Sequence, residues 1–332
     1  MSRVRQQTHS RGEESFRVTL EQSGLRLHLA HLAPKTTGPV EQHRTVLYIH
    51  GATFPIALSI GFRFDGHSWM DDLAEAGFDV WGLDFLGYGG SDRYPEMEAP
   101  PETNPPLGKA AGAARQITKA VEFIGEHQGT RHVSLLAHSR GTLPAGLYAT
   151  THPERLDRLV LFGPVALRRQ EQPPKGQPPA YKDVTVEEQW QRFTGYLPPG
   201  ESPVLEKRHF DLWGLAYLAS DPTGEARMPP SVRVPNGFEA DFAEAWSGHL
   251  AYDPGKVRTP TLIVRGEWDS ITTDADARWL WKALGSVPLK REVLISRGTH
   301  VCHLEASRFQ LYREVETFLK GNDLAQPKGV AQ

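Results

Sequence analysis

Apolar positions along the chain follow two patterns, and the difference between them predicts most of its elements. Around Ser23-Gly24, segments 18–20 and 25–32 alternate apolar and polar residues, as the two half-exposed strands of a hairpin do. Beyond them the apolar runs become short and continuous, at 45–49, 78–83, 132–136, 156–162, 261–264 and 291–295. Such runs suit strands buried on both faces. Stretches with helical spacing lie between them, at 68–76, 109–126 and 142–151. Strands alternating with helices predict a mostly parallel, doubly wound sheet with an antiparallel start.

The alternation breaks down between Pro164 and Pro260, where Pro, Gln and charged residues mix with Trp190, Phe193, Tyr196, Phe210, Trp213 and Tyr217. A structureless loop of that length is uncommon in a compact domain, so the segment should hold helices, with 185–193 and 239–246 the best candidates. Thr185 followed by Glu188 fits a capping box. Because the segment leaves the sheet at a strand's C-terminal end, where ligand crevices of open α/β sheets lie, it is expected to form a cap over a site. The chain then divides into a core at 1–164, a cap or lid at 165–258, a second part of the core at 259–321 and a tail at 322–332. Two proline-rich stretches, 95–106 and 173–179, read as stiff loops.

Composition narrows the partners. The formal net charge of the 332 residues is -3, with both signs interspersed, so neither a nucleic-acid stripe nor a polybasic membrane anchor is expected. A small molecule is the expected partner. Cys302 is the one cysteine, which excludes an internal disulfide and any Cys-x-x-Cys metal site. No metal and no cofactor is expected. Residues 1–15 carry arginines without the apolar core of a signal peptide, and no segment approaches the ~20 apolar residues of a membrane span, so a cytoplasmic protein is expected.

Candidate chemistry sits at the strand ends. Ala137-His138-Ser139-Arg140-Gly141 follows the apolar run at 133–136 and precedes the helical segment at 142–151, so Ser139 occupies an abrupt strand-to-helix turn. A small residue on either side lets that turn fold tightly and push the hydroxyl outward as a nucleophile. The run at 261–264 leads into Gly266-Glu267-Trp268-Asp269, and the run at 291–295 leads into Gly298-Thr299-His300. In a parallel sheet the three ends converge, giving Ser139 a base in His300 and an orienting acid in Asp269. Glu267, nearer its strand, is the poorer choice for the acid and is expected to tie down the loop. His303 and Cys302 read as packing residues, and His138 as structural. Charge developing on an attacked carbonyl oxygen needs fixed donors, for which the N–H groups of Arg140 and of Ala52, in the turn His50-Gly51-Ala52-Thr53, are the candidates. The Arg140 side chain is expected to pair with a nearby acid, the other option being a substrate carboxylate.

With these turns and with 84–91, Asp-Phe-Leu-Gly-Tyr-Gly-Gly-Ser, the chain resembles the α/β-hydrolase superfamily from about residue 16 to 321. The resemblance implies an eight-stranded sheet with strand two antiparallel, a cap after strand six, and Ser139, Asp269 and His300 as a triad. It makes 84–91 a structural turn. Ala137 stands where the family usually has Gly, and Arg140 where Met or Gln is frequent. Relatives that open epoxides or remove halides carry aspartate at the elbow, so serine points to acyl chemistry, hydrolysis of a carboxylic ester or lactone. A C–C bond hydrolase or acyltransferase with the same triad, or a ligand-binding receptor without turnover, are the alternatives.

Overall fold

The computed structural model describes residues 8–35, 44–169, 176–195 and 197–321. Its main sheet has eight strands: β1 (Glu14–Thr19), β2 (Arg26–Leu32), β3 (Thr45–Ile49), β4 (Asp79–Asp84), β5 (Val133–His138), β6 (Leu156–Phe162), β9 (Thr261–Gly266) and β10 (Lys290–Ile295). They lie in the order β1-β2-β4-β3-β5-β6-β9-β10. Strand β2 runs antiparallel to both neighbours, and every other pairing in the sheet is parallel. The predicted architecture therefore holds, with one antiparallel strand in second place.

The continuous apolar runs have a direct physical reading. In β3, Leu47 and Ile49 enter the core on one face while Val46 and Tyr48 enter the core on the other, and all five strand residues are buried. Helices α2 (Ala110–Gln128), α3 (Thr142–Thr151) and α7 (Asp274–Ala283) cover the first face. Helices α1 (Trp69–Glu75) and α8 (Arg308–Lys320) cover the second. Truncating a fully buried residue such as Leu47 to Ala in a layer of this kind costs about 2–5 kcal/mol. Among the described residues no helix is long and apolar enough to cross a membrane.

Between β6 and β9 the chain builds a smaller unit. Strand β7 (Tyr181–Thr185) pairs antiparallel with β8 (Ser231–Pro235), and helices α4 (Val186–Thr194), α5 (Lys207–Ala219) and α6 (Gly237–Trp246) pack beside them. The Thr185–Glu188 capping box starts α4 as the spacing predicts. Helix α5 and the two-stranded ribbon were not predicted, and Tyr196 and 170–175 lie outside the described residues. The unit rests on the loops that follow β3 and β4: the Phe54 ring meets those of Phe193 and Trp213 edge-on at 5.7 and 5.4 Å, and Trp213 Nε1 donates to Leu58 O at 2.8 Å. At its root, Arg168 binds Asp276 through Nε at 2.8 Å, which ties it to the start of α7.

Candidate active site

Strand β5 ends at His138, and the next residue, Ser139, has φ of +53°, in the left-handed region that few non-glycine residues adopt. A 3-10 turn over Ser139–Gly141 then leads directly into α3. The turn is this tight because Gly141 passes the preceding loop with no room for a side chain: a Cβ there would lie 2.5 Å from His50 O. Strain of this kind persists only where surrounding structure enforces it.

The three candidate residues meet. Ser139 Oγ lies 2.7 Å from His300 Nε2, and His300 Nδ1 lies 2.8 Å from Asp269 Oδ2. An ionised carboxylate only accepts, so Nδ1 carries the ring proton and Nε2 is left to accept from the serine hydroxyl. Asp269 is saturated with donors, since Oδ1 accepts from the N–H groups of Ile271 and Thr272 at 2.9 Å each, and Oδ2 from Thr272 Oγ1 at 2.5 Å. Burial alone would raise its pKa, but the His300 interaction and the Thr272 donors outweigh burial and hold it below the usual carboxylate value. Glu267 faces elsewhere and accepts from Arg297 N at 2.8 Å, bracing its loop as expected.

The loop after β3 lies against the nucleophile, and the orientation of its peptides is fixed. His50 Nδ1 donates to Gly51 O at 2.8 Å while its Nε2 accepts from Phe85 N at 3.1 Å. In a trans peptide the N–H points opposite to the C=O, so holding Gly51 O aims the Ala52 N–H away from His50. The Tyr88 hydroxyl holds the next carbonyl, that of Ala52, in the same way. Burial keeps His50 neutral, with its pKa pulled down to about 4.

Groups around these three residues support them, and of these the sequence marked only His138, as structural. His138 Nε2 donates to His300 O at 2.9 Å, so the histidine beside the serine anchors the backbone of the other ring. Gly163, at φ of +55°, runs beneath the His300–Asp269 pair, where a Cβ would sit 3.0 Å from the imidazole. Glu305, buried with its pKa raised by desolvation to about 7, accepts the Thr299 N–H at 2.9 Å and steadies the turn that carries His300. A glycine directly after a buried strand was the available signal for Gly163. Nothing local marks Glu305.

Arg140 departs from expectation. Its side chain is buried, its Nη2 donates to Gly108 O and its guanidinium stacks over Phe85 at 4.9 Å. Among the described residues no carboxylate comes within 4.0 Å of it, so the expected direct ion pair is absent. Its charge acts at longer range on Asp241, whose pKa is raised by burial, against the pull of Arg140, to about 6. His303 is fully buried among the rings of Phe54, His138 and Phe162, and burial drives its pKa down to about 3. Burial likewise pushes the Cys302 thiol up, which makes it a core residue rather than a nucleophile.

Ser139 and His300 are only 6% and 9% exposed. A cleft of about 10 Å³, walled by Arg192 and Phe193 of α4 and by Trp268 and Ile271, opens on His300. That is room for about one water. A larger depression of about 790 Å³ lies at the far edge of the sheet, around Arg44, His132, Asp157 and Arg158.

A family model described as the alpha/beta hydrolase fold matches residues 44–307. No curated protein matches the chain in sequence. Among solved structures, a thermophilic esterase from Thermogutta terrifontis superposes with a TM-score of 0.58 at 16% identity, covering 92% of this chain and 98% of that one. A monoacylglycerol lipase from Paleococcus ferrophilus gives 0.55 at 19% identity over 88% and 98%. Epoxide hydrolase I of potato, Solanum tuberosum, gives 0.57 at 17% identity over 93% and 99%. Similarity at this level is similarity of fold.

Proposed function

The chain belongs to the α/β-hydrolase family, and we propose that within it this protein is a serine hydrolase cleaving a carboxylic ester or lactone through an acyl-Ser139 intermediate. The observation that carries the reading is the continuous hydrogen-bonded line from Ser139 Oγ through His300 to Asp269, 2.7 and 2.8 Å long in its two links. His300 Nε2 takes the hydroxyl proton as Oγ attacks the carbonyl carbon. The resulting oxyanion is received by the N–H groups of Ala52 and Arg140. Collapse expels the alcohol oxygen, which takes the proton from His300; for a lactone this oxygen stays tethered to the acyl group. Water then repeats the sequence against the acyl-enzyme and releases the acid. Asp269 stays ionised throughout and holds the Nδ1–H tautomer.

Serine at the elbow separates this chemistry from epoxide opening, which in this fold begins with an aspartate. The unit between β6 and β9 acts as the cap: its α4 side chains wall the cleft at His300, and Arg192 Nη1 donates to Thr53 Oγ1 at 2.8 Å, next to the Ala52 donor. A panel of p-nitrophenyl esters and lactones of graded chain length, turned over by wild type and by Ser139→Ala, tests the assignment. The variant should lose about 10³-fold or more in kcat. Retention of most of the turnover would contradict it.

A further inference from the structure

A second cluster of reactive side chains lies on the opposite flank of the sheet, where the N-terminal hairpin meets α2. Glu14 and His31 face each other directly in the β1–β2 register, and His127 projects from the last turn of α2. One donor atom from each of the three lies within 4.8 Å of the other two. We propose that Glu14, His31 and His127 bind one divalent transition-metal ion of the zinc class, clamping the hairpin to the helix.

The arrangement around His31 is that of a metal-ligating imidazole. Its Nε2 lies 2.6 Å from Asp79 Oδ1, while Nδ1 faces Glu14 Oε2 at 2.9 Å. Asp79 therefore holds the proton on Nε2, and an arriving cation displaces the Nδ1 proton that Glu14 otherwise accepts, in the second-sphere pattern in which a carboxylate orients a ligating histidine. Asp79 is itself fixed, with Oδ2 accepting from Trp81 Nε1 at 2.9 Å. The His31 ring stacks on Trp81 at 4.1 Å and 18°, and the His127 ring meets it edge-on at 6.2 Å. The orientation of the buried ligand is thus set before any ion arrives.

The donor set selects the cation. Two imidazole nitrogens and one carboxylate oxygen are borderline ligands that favour zinc, cobalt or nickel over calcium or magnesium, which prefer all-oxygen sites. The carboxylates of Glu14 and Asp79 balance a double positive charge. Metal–ligand bonds of about 2.1 Å hold donors about 3.4 Å apart in a tetrahedron. Glu14 and His31 already approach that spacing, and Glu14 and His127 are exposed, so side-chain rotation closes the rest. Water completes the shell. The ion would join β1, β2 and α2 far from Ser139, which assigns it to the stability of the fold rather than to turnover.

The test uses the full chain. Zinc is titrated against a chromophoric chelator and cobalt(II) through its ligand-field bands, for wild type, Glu14→Gln and His127→Ala, with circular dichroism as the folding control. Because the chain has 14 histidines, the reading is the difference between wild type and the variants. The proposal expects one equivalent in wild type that each variant weakens at least about tenfold, together with a zinc-dependent rise in Tm that the variants lose. The two variants alter different exposed residues, so loss of structure in one leaves the other to decide. Identical zinc binding in wild type and a folded variant would overturn the proposal, as would displacement by equimolar magnesium. His31 would then be an imidazolium held between two carboxylates and nothing more.

Discussion

Histidines at two ends of the molecule are buried for opposite purposes. At the C-terminal edge of the sheet, His50, His138 and His303 sit among aromatic rings and backbone groups, and burial drives all three below their ordinary pKa. On the hairpin side, burial also opposes the charge of His28 and His31, but the hydrogen bonds that His28 donates to Asp84 and that His31 donates to Asp79 and Glu14 outweigh it and raise both. The first group is neutral, with His50 and His138 directing backbone carbonyls and His303 packed between rings; the second faces carboxylates that favour its protonated form. His300 belongs to the first neighbourhood and has the second kind of partner, since it sits among neutral rings and faces Asp269. A ring that must accept a proton and then return it needs both conditions.

The largest way to break the contrast is to remove the carboxylate from His300. Asp269→Asn should leave the fold intact and lower kcat by about 10⁴-fold by releasing the wrong tautomer, measured on the best ester of the panel. A loss below tenfold would mean that Asp269 does not orient His300. Next comes His50, whose ring aims the Ala52 N–H: His50→Phe should lower kcat by about 10²-fold with little change in KM. An effect confined to KM would place the Ala52 loop outside the reaction centre.

Stability separates the two groups by sign. His28→Leu strands the buried Asp84 carboxylate and should cost about 3 kcal/mol in denaturant unfolding. Because the pKa of His28 is raised in the fold, that contribution is full below its unfolded value of 6.5 and fades as pH rises through the folded pKa. His303 runs the other way. Its pKa falls from 6.5 to about 3, so the unfolded chain takes up a proton that the fold refuses, and stability is lost as pH drops between those values. His303→Phe should remove that slope, a relative gain of about 2 kcal/mol on going from pH ~6.5 to ~5. Parallel pH profiles for the two variants would erase the distinction.

The parts legible in the sequence are those where one residue type had one meaning. Runs such as Val46–Leu47–Tyr48 could only be strands covered on both faces, and Ser139, Asp269 and His300 each stand at the end of such a run, so topology alone brings them together. The ribbon of β7 and β8 escaped notice because Tyr-Lys-Asp-Val-Thr and Ser-Val-Arg-Val-Pro carry charges on a two-stranded sheet whose partner lies 46 or more residues away. Helix α5 was hidden by a different cause: His209, Phe210, Trp213 and Tyr217 bury around its Gly214, which reads in sequence as a break. Support for the site was the least legible layer. Glu305 acts through Thr299 and Tyr88 through the Ala52 carbonyl, contacts that arise only once the loops have folded together. The Arg140 side chain failed for the same reason, because its partner is a backbone carbonyl rather than an acid.

Everything proposed for this site turns on Ser139 being its nucleophile. Exposure of the purified chain to a fluorophosphonate, followed by intact mass and peptide mapping, addresses it directly. One adduct is expected, on Ser139, absent from Ser139→Ala and formed much more slowly in Asp269→Asn. An adduct on another residue, or a wild-type chain that stays unmodified, would contradict it.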